Sequence, residues 1–395
     1  MSGPRVVVVG GGLAAVRTAQ ALHDLGHRGE LLILSAESEP PYDRPPLSKN
    51  HLLGTLPDDA LRLLPPTGYA DLGADLRLDS QVVALDPAVR TVTLAGGTAV
   101  PYDRLVIATG AGARQLPALR DRPGAFALRT AEDSRRLAAV VREGRPVAVV
   151  GGGFIGLEVA ATARTRDCPV TVVEAQPAPL LGAVGPEVAA WLQARHVARG
   201  VDFRCGTTAT GAADAPGGGE RLHLADGSTV DADAVVVGVG VVRDLDWLAA
   251  AGLEVDGGLV CDEAGRTNLP DVFGAGDVVC HRTERGPVLI GHWTAAGDSA
   301  RRAAHAVLDL EQPSLPDDGF FWSDQYDLRL QFVGRIAPDA EFTVVDGDLE
   351  SDSFVAHYRS GGRTTGVFAA NNPRGFLRSR VELRKARPTV AEVAG

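Results

Sequence analysis

Lysine is almost missing from this chain. Its 395 residues include two, Lys49 and Lys385, against 37 arginines, so each position that keeps a lysine invites a question. Cysteine is scarce as well. Cys168, Cys205, Cys261 and Cys280 stand far apart, with no Cys-x-x-Cys pair and no Cys/His cluster at zinc spacing. That spacing speaks against a metal site or a disulfide framework and predicts four reduced thiols in a cytoplasmic protein. No apolar run approaches the roughly 18 residues of a membrane span. Neither a basic leader nor a small-residue cleavage site precedes the first apolar strand. An excess of positive charge is absent too: 39 Lys plus Arg stand against 50 Asp plus Glu, for a net charge of −11. A nucleic-acid partner held by a global basic field is disfavoured, and so is an anionic membrane surface.

What the chain does have is enough apolar residue, 45%, to build the cores of two or three domains. Two stretches look alike. Arg5-Val-Val-Val-Val-Gly10-Gly-Gly12-Leu13-Ala14-Ala15 and Pro146-Val-Ala-Val-Val-Gly151-Gly-Gly153-Phe154-Ile155-Gly156 each run from a β-branched segment through glycines into a helical pattern. A second apolar strand follows each, at 31–34 and 170–173, which makes the βαβ unit twice. Further buried strands are predicted at 105–108, 235–237 and before Gly274. The first two end in small-residue turns, Ala108-Thr109-Gly110 and Gly238-Val239-Gly240. After Gly319 the pattern changes to short alternating strands at 328–332, 342–345, 354–358 and 364–368, then a basic terminal helix. The expected fold class is α/β, with two Rossmann-like dinucleotide-binding domains and a C-terminal α+β domain.

Gly10-x-Gly12-x-x-Ala15 and Gly151-x-Gly153-x-x-Gly156 fit the dinucleotide fingerprint. The first glycine allows the tight turn and the second lets backbone approach a pyrophosphate. The third position needs a small residue so that helix and strand can close up. The helix N-terminus then offers free N–H groups to phosphate. These residues, with the intervening Leu13, Ala14, Phe154 and Ile155, are the candidate cofactor-binding positions. An acidic residue ending the second strand would accept ribose hydroxyls. Glu174 does so 23 residues after Gly151, and no arginine follows it at 175–177 to receive a 2′-phosphate, so NADH is expected over NADPH. In the first unit Ser35 and Ala36 stand at the acidic place and Glu37 comes slightly late.

These fingerprints, followed by Pro41-Tyr-Asp-Arg44-Pro45-Pro-Leu-Ser-Lys49, resemble the FAD-dependent, NADH-using ferredoxin reductases, the family of putidaredoxin reductase and of the reductase components of biphenyl dioxygenases. The resemblance covers nearly the whole chain and implies a glutathione-reductase-like flavoprotein. FAD would occupy the first fingerprint and NADH the second. The FAD domain would be split over residues 1–112 and 243–318, with an NAD domain at 113–242 and a C-terminal domain at 319–395. Arg44, Pro45 and Lys49 would line the flavin, and Lys49 would pair with Glu158. Both would be catalytic in the sense of charge tuning and positioning. Ala108, Thr109, Gly110 and Arg114 would mark the crossover between domains. Asp277, in the second flavin motif, would accept from a ribityl hydroxyl. Trp293 with Ala296 would stand by the pyrimidine edge, Trp322 over the flavin site, and Gly238 and Gly240 at the nicotinamide side.

The implied reaction passes electrons from NADH through FAD, one at a time, to a [2Fe–2S] ferredoxin that serves a P450 or Rieske oxygenase. A rubredoxin or quinone acceptor, or an NADH-responsive flavoprotein that signals by its redox state, remains an alternative. A disulfide or peroxide reductase would need a thiol at the flavin, and 41–49 has none. Departures from the family pattern at Gly291-His292, at 241–244 and in the arginine-free 177–185 stretch bear on the nicotinamide pocket more than on the FAD site. Residues 372–388 carry Arg374, Arg378, Arg380, Arg384, Lys385 and Arg387 against Glu382 alone. They form a candidate docking face for an acidic ferredoxin. The competing reading is a solvated helix with Phe376, Leu377 and Val381 turned to the core. Monomer and homodimer both stay open.

Overall fold

A computed structural model describes residues 3–283, 286–289, 291–315 and 318–385. By contact the chain forms two units. The first comprises Met1–Asp43, Asp58–Gly112 and Val241–Asp317, and the second Arg44–Pro57, Ala113–Gly240 and Asp318–Gly395.

The first unit is built on a five-stranded parallel sheet, ordered Val272–Gly274, Arg104–Ile107, Val6–Val9, Leu31–Leu34, Ala74–Arg77. Val9 lies opposite Leu34 on one side and Ile107 on the other. Both faces are covered, which is why these strands read as unbroken apolar runs. Val6, Val8, Ile33 and Val106 pack under the helices Leu13–Asp24 and Trp293–Val307. Alanines 15, 19, 300, 303 and 304, all fully buried, let those elements approach closely. Val7, Val9, Leu32, Leu34 and Leu105 face the other way, towards an antiparallel sheet of Val82–Asp86, Thr91–Leu94 and Ala99–Pro101.

The second unit repeats the parallel sheet, in the order Val201–Cys205, Val170–Glu174, Val147–Val150, Ala234–Val237, Ala125–Ala127. A three-stranded antiparallel sheet, Ala209–Asp214, Glu220–Leu224 and Thr229–Ala232, covers one face through Leu222 and Leu224. The C-terminal sheet is antiparallel, ordered Phe321–Gln325, Leu328–Gly334, Arg363–Ala370, Ser353–Ser360, Glu341–Asp348. Its edge strand Phe321–Gln325 lies outside the runs expected from alternation, because Phe321, Trp322 and Asp324 are all half-buried and blur the period. One face packs on Val184, Val188, Trp191 and Leu192 of the helix Leu181–Ala198, the other on Phe376 and Leu383 of the helix Pro373–Lys385.

Segment 44–57 is tied into the second unit by polar side chains. Arg44 Nη1 donates to the Arg129 carbonyl at 2.6 Å, Thr162 Oγ1 to that of Ser48 at 2.7 Å, and Arg166 Nη2 to that of Leu53 at 2.7 Å. His51 Nδ1 meets Ser134 Oγ at 2.7 Å.

Candidate functional site

In the first fingerprint Gly10 adopts φ +133°, and a Cβ there would fall 2.1 Å from the Ala108 carbonyl oxygen. Only glycine lets the strand end cross its neighbour so closely. Gly12 caps the helix Leu13–Asp24 with no side-chain acceptor, and a Cβ on it would meet nothing within 4 Å. The turn thus leaves a cradle in front of an uncapped helix N-terminus. Ala15 is fully buried. Gly276, at φ +78°, brings its backbone against Ala14, and Asp277 follows it in the short turn Gly276–Val278. Arg243, one of the departures from the family pattern, donates through Nε to the Asp277 carbonyl. Trp293 Nε1 donates to Asp43 Oδ1 at 2.7 Å, with Arg17 over its ring.

The second fingerprint repeats this geometry. Gly151, φ +105°, passes 2.4 Å (as a Cβ) from the Gly238 carbonyl oxygen, and a Cβ on Gly156 would strike the Gly151 carbonyl oxygen at 2.1 Å. Gly153 caps the helix Phe154–Thr165, again without a side-chain acceptor. Ile155, in its first turn, is 41% exposed. Glu174 accepts from Gly152 N at 2.6 Å and Gln176 N at 2.8 Å, which aims its carboxylate at the glycine turn.

Register identifies the counterpart of Glu174. Val150 pairs with Val173 and Val9 with Leu34, so the residue matching Glu174 is Ser35. Ser35 is fully buried, its Oγ where a Cβ on Gly11 would stand. Glu37, two residues on, is held instead by Tyr42, whose O–H donates to Oε2 at 2.5 Å.

Lys49 and Glu158 meet. Lys49 Nζ donates to Glu158 Oε2 at 2.6 Å and to the Pro45 carbonyl at 2.9 Å. Glu158 is 5% exposed, and its carboxylate also takes Ser48 Oγ at 2.5 Å and Ser323 Oγ at 2.6 Å. Three chain segments converge there: the turn Pro45–Ser48, the helix Phe154–Thr165 and the strand Phe321–Gln325. A buried carboxylate needs such partners, since desolvation would otherwise cost several kcal/mol, roughly. Motif spacing does not single out Ser48, Ser323, Tyr42 or Asp43, although three of the four lie within 41–49.

Other candidates are spread out. Thr109 and Arg114 are exposed and Ala108 buried, while Gly110 takes φ +68°. Arg114 N donates to the Gly240 carbonyl at 2.9 Å. Trp322 stacks on Phe320, with Arg329 over its ring. Of the docking candidates, Arg380 pairs through Nε (2.7 Å) and Nη2 (3.0 Å) with Asp318, and Arg384 also reaches it at 2.7 Å. Asp318 is 4% exposed. Burial alone would raise its pKa, but the two guanidinium groups outweigh that and hold it below the usual carboxylate value. Arg378 bonds Asp346 at 3.0 Å, and Arg374 is exposed. Arg387 lies outside the described residues. Phe376 is buried, whereas Leu377 and Val381 face solvent at 60% and 41% exposure, against the expectation that all three turn to the core.

The four thiols are free, and burial raises all of them, Cys261 to about 12. None is poised as a thiolate. Among the described residues no cluster could hold a metal ion, and no helix is long and apolar enough to cross a membrane.

Two parallel sheets, each with a glycine turn opening into an uncapped helix, define a two-dinucleotide α/β protein. Residues 4–300 match the family model of pyridine nucleotide-disulphide oxidoreductases and residues 320–394 that of the reductase C-terminal domain. The chain belongs to the pyridine nucleotide-disulphide oxidoreductases, which use FAD and NAD(H). It is 36% identical over 382 residues to the ferredoxin reductase subunit of 5,5'-dehydrodivanillate O-demethylase from Sphingobium sp., covering 95% of this chain and 92% of that one. It is 38% identical over 381 residues to the ferredoxin–NAD(+) reductase component of the anthranilate 1,2-dioxygenase system of Burkholderia cepacia, covering 94% and 92%. Putidaredoxin reductase, solved in covalent complex with putidaredoxin, superimposes with a TM-score of 0.93 at 31% identity, covering 100% of this chain and 96% of that one.

Proposed function

We propose that this protein is a ferredoxin reductase that carries electrons from NADH through FAD to a small [2Fe–2S] protein serving an oxygenase. The observation that carries the reading is the ion pair between buried Glu158 and half-buried Lys49, one of two lysines in an arginine-rich chain. The residues fit the cofactors. The open space at Gly12 and the uncapped helix suit a pyrophosphate, and the uncapped helix at Gly153, where a Cβ would only touch the Gly238 carbonyl oxygen at 3.9 Å, suits a second. Bound FAD supplies the change from a two-electron donor to a one-electron acceptor.

The chain's own residues bind, orient and tune. Gly10, Gly12, Leu13, Ala14 and Ala15 hold the FAD pyrophosphate, Glu37 the adenosine ribose and Asp277 the ribityl chain. Arg44, Pro45, Trp293 and Trp322 line the flavin, and Ala108, Thr109, Gly110 and Arg114 form the crossover. Gly151, Gly153, Phe154, Ile155, Gly156, Gly238 and Gly240 receive NADH, whose ribose hydroxyls bond Glu174. Lys49 offers a fixed positive charge to the reduced flavin, and Glu158 keeps that charge in place. The FAD domain is split over 1–112 and 243–318, the NAD domain is 113–242 and the C-terminal domain is 319–395. Unactivated thiols, three of them buried and Cys205 half-buried, support direct transfer without a sulfur relay and a reducing cytoplasmic setting.

For the partner we propose the helix Pro373–Lys385. Arg380 and Arg384 anchor it through buried Asp318, while Arg374 is exposed and Arg378, bonded to Asp346, keeps 73% of its side chain exposed; these two, beside exposed Leu377 and Val381, would meet an acidic ferredoxin. The testing experiment is stopped-flow reduction with NADH and with NADPH, followed by turnover with a panel of iron–sulfur proteins. Fast reduction by NADH and turnover with a [2Fe–2S] acceptor are expected. A protein that purifies without flavin and takes none up would sink the reading.

A further inference from the structure

Behind Glu158 the second unit buries a line of polar side chains that hydride transfer does not call on. Their order follows from one anion. A carboxylate paired with an ammonium has no proton to give, so Ser323 Oγ must donate to Glu158 Oε1, at 2.6 Å. With its single proton committed, Ser323 can only accept, and Gln325 Nε2 donates to it at 3.1 Å. That sets the amide, whose Oε1 then faces His196 Nε2 at 2.8 Å and requires the proton on that nitrogen. Burial lowers His196 from 6.5 to about 4, so the ring is neutral near pH 7 and its Nδ1 is bare. Tyr326 O–H donates to Nδ1 at 3.0 Å.

Four hydrogen bonds therefore run in one direction, from Tyr326 to the Glu158 carboxylate. Ser323, Gln325 and His196 are all at most 1% exposed. Aligned bonds in a dry interior strengthen one another. The amide nitrogen of Gln325 does not relay protons at neutral pH, so the line orients rather than conducts. Its outer end is anchored as well. Tyr326 sits at φ 56°, in the left-handed region that disfavours a side-chain-bearing residue. Arg199 covers its ring at 4.6 Å while bonding Asp327 at 2.5 Å.

We propose that Ser323, backed by Gln325, His196 and Tyr326, is a positioning residue that holds Glu158 in the one orientation presenting Lys49 for flavin reduction. This rests on the role given to Lys49 above. The C-terminal sheet would then set the rate of a step whose tuning charge lies on another segment.

With two lysines in the chain, the holoenzyme carrying 15Nζ-labelled lysine gives two ammonium signals, and Lys385→Arg tells them apart. The expected Lys49 signal is sharp and exchanges slowly with water. In Ser323→Ala it exchanges about tenfold faster, and reduction of the flavin by NADH slows about tenfold, the effect of one charge-assisted hydrogen bond. Ser323→Thr, which keeps the hydroxyl, restores both. Tyr326→Phe moves both in the same direction by about threefold. An unmoved Lys49 signal in Ser323→Ala overturns the proposal. If that variant fails to fold, Tyr326→Phe decides in its place, because it removes one hydroxyl from a partly exposed side chain. Faster Lys49 exchange with unchanged flavin reduction upholds the positioning line and sinks the flavin role of Lys49 instead.

Discussion

Single side chains do most of the discriminating in this molecule. Glu158 collects three donors on one buried carboxylate, and one of them is the ammonium of Lys49. Glu158→Gln keeps the shape but removes the counter-charge. Reduction of the flavin by NADH is expected to slow on the order of a hundredfold, read by stopped flow, while FAD content stays at the parent level. Glu174 has a different job. Its two oxygens are already bonded to Gly152 and Gln176, so ribose hydroxyls must use the remaining lone pairs. Glu174→Ala should raise KM for NADH about tenfold at nearly constant kcat and narrow the preference over NADPH, since a carboxylate that repels a 2′-phosphate is gone. Steady-state kinetics with both nucleotides checks this. An unchanged NADH to NADPH ratio would remove Glu174 from the coenzyme site.

At the scale of elements, the helix Leu181–Ala198 meets the C-terminal sheet through buried His196, which bonds Gln325 and Tyr326. Its folded value of about 4 lies below the unfolded 6.5. Between these values the unfolded chain binds the extra proton, so stability falls as pH drops from about 6.5 towards 4, by up to about 3 kcal/mol. The thermal midpoint should drop between pH 7 and 4.5, and by less in His196→Gln. Equal drops in both proteins would refute the assignment. The helix Pro373–Lys385 is a second case. Its inner arginines are committed to Asp318, so charge reversal belongs on the outer pair. Arg374→Glu combined with Arg378→Glu is expected to lower kcat/KM for the ferredoxin and flatten its salt dependence, with NADH-driven flavin reduction unaltered.

For the molecule as a whole, two parallel sheets end in glycine turns that open onto helices without a side-chain cap. Bound FAD should therefore add stability to the folded state alone, by about 2.7 kcal/mol at a hundredfold excess over Kd. Stripping the flavin should lower the melting temperature, and adding it back should restore the midpoint in a concentration-dependent way. A flavin-free protein melting where the holoprotein melts would contradict this.

Much of this architecture was legible in the linear chain because it rests on local rules. Four-residue valine-rich strands, glycine turns and alanine-rich helices follow each other at short range, and each βαβ unit announces itself. The scarcity of lysine drew attention to Lys49 for the same reason. Other features needed the folded chain. That Ser35, the counterpart of Glu174, is fully buried and that Glu37 is taken up by Tyr42 was decided by packing. That residues 44–57 pack with the second unit rests on bonds to Arg129, Thr162 and Arg166 far along the sequence. Ser323 reaches Glu158 across 165 positions, and Arg380 turns inward to Asp318 although its neighbours read as a basic surface. Sequence periodicity determined the strands, turns and helices, because backbone geometry is settled by neighbours a few residues apart. Which carboxylate is buried, which arginine is committed and which hydroxyl points at which anion were decided by tertiary packing, because desolvation and hydrogen-bond partnership depend on segments that meet only when the chain closes on itself.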